Sequence, residues 1–160
     1  MRASLLLLLG ALACNRDAQT PPPAPPAAGG TVDLGAINFA PALGVDLGAS
    51  SKTPSGLYYR DIDVGSGPAL AAGQQASVHY VGYFPNGTEF DKNQAGSPPF
   101  TFRVGNKEVI DGWDQGVVGM QVGGKRQLIV PPSLGYGPND YGPIPGNSVL
   151  VFIVELVGIQ

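Results

Sequence analysis

The sequence predicts an α+β domain in which an antiparallel sheet curves around one short helix. Three observations carry that expectation. Between residues 57 and 157, short runs rich in Val, Ile, Phe and Tyr alternate with glycine and proline turn signals. The apolar period changes to three and four residues at Ile110, Trp113 and Val117, which places them on one face of a short helix. A single helix cannot cover both sides of a sheet, so the sheet must wrap around it.

The elements follow in order. Residues 57–64 read as a strand ended by Gly65-Ser66-Gly67-Pro68. Ala76, Val78, Tyr80 and Gly82 then alternate with Gln75, Ser77, His79 and Val81, giving a half-buried strand with Val78 and Tyr80 on its inner face. Pro85-Asn86-Gly87-Thr88 is a turn signal leading into Glu89-Phe90-Asp91. Residues 100–104 form another strand, closed by Gly105. The helix has Asp111 and Asp114 near its start, where the dipole favours negative charge, and Gly119 to end it. Residues 125–130 are a strand stopped by Pro131-Pro132, and residues 135–146 a long loop. The last strand spans residues 149–157, with Leu150, Phe152, Val154 and Leu156 on one face. About five strands and one helix therefore fill residues 54–160, the predicted domain.

The front of the chain is organised differently. Met1-Arg2, the apolar run Leu5 to Leu9 and the small residues after it have the layout of a secretory signal. Ala11-Leu12-Ala13-Cys14 resembles the bacterial lipobox, with Ala11 standing where leucine is usual. On that reading Cys14 ends the signal segment (1–14), receives lipid and holds the protein at a bacterial membrane facing the periplasm. Plain secretion with an unmodified Cys14 is the alternative. Residues 15–53 are expected to be a linker, because the proline- and alanine-rich tract up to Gly30 lacks large apolar residues and favours extended polyproline geometry. Within it, Ile37, Phe39, Leu43, Val45 and Leu47 could either dock a short strand or continue the linker.

Composition excludes several classes of function. The net charge is −3 and no basic cluster follows Arg2, so neither nucleic acid nor an anionic membrane surface finds a complementary patch. The single cysteine rules out an internal disulfide, and the single histidine, His79, rules out a histidine metal cluster. His79 sits mid-strand, where a structural role is the expectation, and no Ser-His-Asp arrangement is supported. Asp91, Asp111 and Asp114 are carboxylates without an evident facing pair. What stands out is a set of aromatic and branched residues on separate segments.

Those segments carry a resemblance. Val78-His79-Tyr80-Val81-Gly82, Gly87-Thr88-Glu89-Phe90-Asp91 and Pro99-Phe100-Thr101-Phe102 resemble the FKBP family of peptidyl-prolyl isomerases. So do Val104-Gly105, the run Glu108-Val109-Ile110-Asp111-Gly112-Trp113-Asp114-Gln115-Gly116-Val117, Leu134-Gly135-Tyr136-Gly137 and Ile144-Pro145. Residues 150–156 complete the series in the family's order and spacing, and the match covers residues 56–160.

The resemblance implies a half-barrel of five antiparallel strands around one helix. It implies that Trp113 floors a proline pocket walled by Tyr80, Phe90, Phe100, Val109, Ile110 and Phe152. The Ile110 N–H and the Tyr136 hydroxyl would bond substrate carbonyls, Asp91 would stand at the pocket edge, and Ile144 would come from the loop covering it. Implied partners are proline-containing polypeptides and the macrolides tacrolimus and rapamycin; no cofactor or metal is implied, and a monomer is expected. The family often places an arginine shortly after the Phe-Asp pair, where this chain has Gly96, with Lys92 the nearest cation. The loop over residues 137–144 is also about one residue shorter than in small family members.

The implied reaction suits a chain poor in reactive side chains. The barrier of about 18–20 kcal/mol to amide rotation comes from resonance that separates charge. An apolar pocket disfavours the planar, charge-separated ground state, so binding that prefers the twisted amide lowers the barrier without bond making. The competing reading is a binding module or chaperone using the same pocket without turnover. The presence of Trp113, Phe90 and Tyr136 favours catalysis. The substrates expected are exported proteins whose X-Pro bonds otherwise isomerise in tens of seconds.

Overall fold

A computed structural model describes residues 32–160. The signal segment, Cys14 and the proline tract up to Gly30 lie outside these residues. The strands are β1 (Ser51–Lys52), β2 (Tyr58–Asp63), β3 (Gln75–Tyr83), β4 (Glu89–Asn93), β5 (Phe100–Arg103), β6 (Lys125–Val130) and β7 (Leu150–Ile159). The helix α1 spans Asp111–Gly116. All pairings between strands are antiparallel, in the order β1-β2-β6-β7-β3-β4, with β5 also on β3.

The seven strands seen among the described residues agree with the five expected once the pairing is followed. β5 lies along Gln75 to Val78 of β3, and β4 along Tyr80 to Tyr83 of the same strand. They form one row of the sheet, interrupted by residues 94–99. β1 adds a two-residue pairing at the other edge, Ser51 to Tyr59 and Lys52 to Tyr58.

Alternation sorts each strand into two faces. Ala76, Val78, Leu128, Val130, Leu150, Phe152, Val154 and Leu156 face inward and are buried with Leu57, Phe102, Trp113 and Val117. The helix supplies Trp113 to this core, with Ile110 at its N-cap and Val117 at its C-cap. Gly112 and Gly116 set how deep it sits. A Cβ on Gly112 would lie 2.6 Å from Cγ1 of Val130, and one on Gly116 would lie 2.7 Å from Cδ2 of Leu128. Any side chain there would push the helix off β6.

Arg126 fastens the other end. It is buried on β6, its Nη1 donates to the Gly116 carbonyl at 2.9 Å and the Val118 carbonyl at 3.0 Å, and its guanidinium holds Asp61 through Nε and Nη2. The last carbonyls of α1, which have no partner within a helix, are thereby satisfied by a charged donor. The bidentate ion pair keeps the buried cation compensated.

Residues 34–47 dock on the outer face, but not as the short strand that their apolar residues allowed. They form two 3-10 turns, Leu34–Ala36 and Pro41–Leu43, the first capped by Asp33, which accepts from the Gly35 N–H at 2.9 Å. Leu34 is buried with Ile129 of β6 and Val149, and Ile37, Phe39, Val45, Leu47 and Tyr58 pack around them. Gln127 Nε2 donates to the Leu43 carbonyl at 2.7 Å and Arg60 Nη2 to the Gly44 carbonyl at 2.9 Å. The Ala40 N–H donates to the Pro85 carbonyl at 2.7 Å, tying this strap to the turn between β3 and β4. Apolar side chains removed from water in this way contribute about 1.5–3 kcal/mol each when fully buried. The strap belongs to the same folded body as the sheet.

Candidate functional site

Where the concave sheet opens away from the strap, a cavity of about 350 Å³ lies over α1. Trp113 is its floor and is only 4 % exposed. Aromatic edges surround the indole: Tyr80 at 5.0 Å, Phe152 at 5.4 Å and Phe100 at 6.2 Å between ring centres, all near perpendicular. Edge-to-face packing of this kind satisfies the ring quadrupoles and keeps each ring in place. The Trp113 Nε1–H is buried and has no hydrogen-bond partner among the described residues.

The walls come from every layer of the fold. Tyr80 stands on β3, Phe90 and Asp91 on β4, Phe100 on β5 and Phe152 on β7. Phe90 closes against Phe152 at 5.6 Å and near right angles. That contact needs Gly82 on β3, because a Cβ there would fall 2.6 Å from the tip of the Phe90 ring. Val109 and Ile110 line the side that leads into the helix, while Tyr136 and Ile144 arrive from the loop before β7. Ile144 is 5 % exposed and joins the inner core. Each pocket residue expected from the resemblance therefore lines one cavity.

Polar side chains are few in the lining. Tyr80 donates its hydroxyl to Asp91 Oδ2 at 2.8 Å, and the Lys92 N–H donates to Asp91 Oδ1 at 2.8 Å. Lys92 is not a partner of Asp91 through its ammonium, which pairs with Glu89 at 2.8 Å. Gly96 lies in the interruption between β4 and β5 at φ +103°, with no atom within 4 Å of where a Cβ would be. That backbone suits glycine and disfavours an arginine at the position. Asp91 is thus held by a phenol and a backbone amide. The Ile110 N–H enters no backbone hydrogen bond among the described residues, as expected at the start of a helix. Ile110 itself is among the lining residues.

Both phenols are held neutral. Burial, then the hydrogen bond and charge of Asp91, push Tyr80 well above the ordinary tyrosine value. Tyr136 is pushed up to about 12, first by burial and then by Tyr141 and Asp91. Three lining residues were not singled out as pocket residues from the sequence: Glu108, Tyr141 and Pro143. Glu108 accepts from the Arg103 N–H at 3.0 Å and from Asn106 at 3.3 Å, contacts that hold its carboxyl below the usual range. Its place in the motif beside Val109 was the available signal. For Tyr141 and Pro143 only their presence in the loop could have pointed to the cavity. His79 is not among the lining residues; its Nδ1 is 2.9 Å from Asn93 Oδ1.

The raised phenols make stability depend on alkaline pH. Above the ordinary tyrosine value of about 10 the folded chain holds more protons than the unfolded chain, so stability falls as pH rises. The contribution is complete below about pH 10, and for Tyr136 it is lost through a folded-state value of about 12. Urea unfolding across this window should show the decline, and Tyr136→Phe should make it shallower. An unchanged slope in the variant would contradict this account of the phenol.

Comparison with known proteins agrees with the geometry. The family model described as FKBP-type peptidyl-prolyl cis-trans isomerase matches residues 67–157. FK506-binding protein 2 of Dictyostelium discoideum is 47 % identical over 121 residues, 74 % of this chain and 90 % of that protein. FK506-binding protein 4 of Mycosarcoma maydis is 49 % identical over 111 residues, 69 % of this chain but 29 % of that protein, so this chain spans under a third of it. Among solved structures, AtFKBP13 superposes with a TM-score of 0.64 at 43 % identity, covering 69 % of this chain and 98 % of that one. FkpA from Escherichia coli does so with 0.64 at 36 % identity, covering 70 % and 52 %. These curated relatives are eukaryotic, so a bacterial lipoprotein subtype rests on residues 1–14 alone. With the family model covering more than half its length and the cavity built at the matching motifs, the chain belongs to the FKBP-type peptidyl-prolyl cis-trans isomerase family.

Proposed function

We propose that this chain accelerates cis/trans isomerisation of X-Pro bonds in polypeptides by non-covalent binding in the cavity over Trp113. The observation that carries the proposal is the separation of roles within one site. Most of the lining is aromatic or aliphatic, and Asp91, Glu108 and the Tyr80 and Tyr136 hydroxyls supply its few polar side-chain groups. A proline ring fits over the Trp113 indole, which leaves the preceding amide beside those polar groups. There the Ile110 N–H and the neutral Tyr136 hydroxyl can bond carbonyls of the substrate. The amide loses solvation of its charge-separated planar form, and contacts that favour the twisted form lower the barrier. Asp91 holds Tyr80 through its hydroxyl, which keeps that wall in place. Macrolides such as rapamycin and tacrolimus are proposed to occupy the same cavity.

The test is a prolyl isomerisation assay on the chain with rapamycin titrated in. Tyr136→Phe removes one donor from a partly desolvated site and is expected to lower kcat/KM by about 5–30-fold, the equivalent of about 1–2 kcal/mol. Asp91→Ala should lower it by about tenfold or less, through a loosened Tyr80. A folded chain that binds rapamycin without accelerating isomerisation would sink the enzyme reading in favour of a binding module.

We also propose that the enzyme works on exported proteins while anchored through lipid on Cys14, supported by the signal layout of residues 1–13 and the cysteine directly after it. Several acyl chains, at about 0.8 kcal/mol per buried methylene, give durable attachment. Fractionation of bacterial cells should find the full chain in the membrane fraction and Cys14→Ser in the soluble periplasm. Both forms in the cytoplasm would refute export.

A further inference from the structure

We propose that Tyr141 is a positioning residue for Tyr136: its ring backs the Tyr136 ring and so fixes where that hydroxyl points. The inference rests on the isomerase reading above and adds a residue to it.

Tyr136 packs on the edge of the inner core, but no side-chain hydrogen bond among the described residues fixes its hydroxyl. It stands between Gly135 and Gly137, the latter at φ +74°, so its neighbours contribute no side chains to wedge it. Asp91, whose charge reaches the phenol, already accepts from Tyr80 and from the Lys92 N–H. The ring of Tyr136 instead lies on that of Tyr141, 4.4 Å between centres and 13° from parallel. Tyr141 is 44 % exposed, so it is not there to fill the core.

Tyr141 is itself anchored. Its N–H donates to the Ile144 carbonyl at 2.8 Å and its carbonyl accepts from the Ile144 N–H at 2.9 Å, closing a tight turn through Gly142 and Pro143. Ile144 is buried, which pins that turn to the core. Asp140 accepts from the Gly146 N–H at 2.8 Å, and the Asn147 N–H donates to the Gly137 carbonyl at 2.8 Å, so both ends of the loop are braced. A braced turn thus presents one aromatic face, and the ring of Tyr136 rests against it.

The test is a double-mutant cycle in kcat/KM. Tyr141→Ala should lower kcat/KM about three- to tenfold, the range an aromatic pair supplies, and Tyr141→Phe, which keeps the ring, should restore most of it. In a Tyr136→Phe background the Tyr141→Ala effect should shrink below about twofold, because no hydroxyl remains to be aimed. Equal losses in both backgrounds would overturn the proposal. Ring signals of labelled tyrosine, assigned through Tyr136→Phe, give a readout that does not require turnover. Tyr141→Ala should shift and broaden the Tyr136 signals; unchanged signals would overturn the proposal even in a chain that catalyses nothing. A wild-type chain without turnover whose Tyr136 signals do respond would instead retire the isomerase reading and leave the stack standing.

Discussion

The close approach of one six-residue helix to β6 is the constraint on which the rest depends. A helix this short has little stability of its own, so its position is dictated by what it packs against. Gly112 and Gly116 let its backbone settle onto Val130 and Leu128. Arg126 then holds the far end through the Gly116 and Val118 carbonyls. Together these contacts place Trp113 at the bottom of the concave sheet. Without them Tyr80, Phe100 and Phe152 would have no common centre to pack around.

Over that floor the lining is mostly aromatic and aliphatic. Strands β3, β4, β5 and β7 deliver rings to one basin, and Gly82 leaves room for Phe90 to meet Phe152. Among these rings Asp91 accepts from the Tyr80 hydroxyl and the Lys92 N–H. The back of the same sheet is closed by residues 34–47, which cover Ile129 and Val149 and occupy Gln127 and Arg60. Their link to Pro85 joins the strap to the turn that carries β4 and its Phe90.

Much of this architecture was legible because period and punctuation are local properties. The alternation through Ala76, Val78 and Tyr80 and the three-four spacing of Ile110, Trp113 and Val117 translate directly into faces. The strap was ambiguous because Ile37 and Phe39, and then Leu43, Val45 and Leu47, keep a strand-like spacing of two, yet the segment folds into two 3-10 turns with irregular chain around them. The split of one sheet row into β4 and β5 was hidden for a similar reason. It depends on a common partner, β3, that only the fold reveals. In the site, the aromatic set could be read from motifs, whereas the stack of Tyr141 on Tyr136 could not. Those two residues meet because the Tyr141–Ile144 turn folds the loop back, a pairing without a sequence period.

Trp113 is the only tryptophan in the chain, so its fluorescence reports on the cavity floor alone. The most direct test of the account is to titrate a proline-containing peptide while following Trp113 emission and, in parallel, the isomerisation of that peptide. The account predicts a saturable change in emission, with a midpoint that matches the concentration dependence of catalysis, and displacement of both by rapamycin. Catalysis that saturates while Trp113 emission stays constant would place the reaction elsewhere on the protein and contradict the central claim.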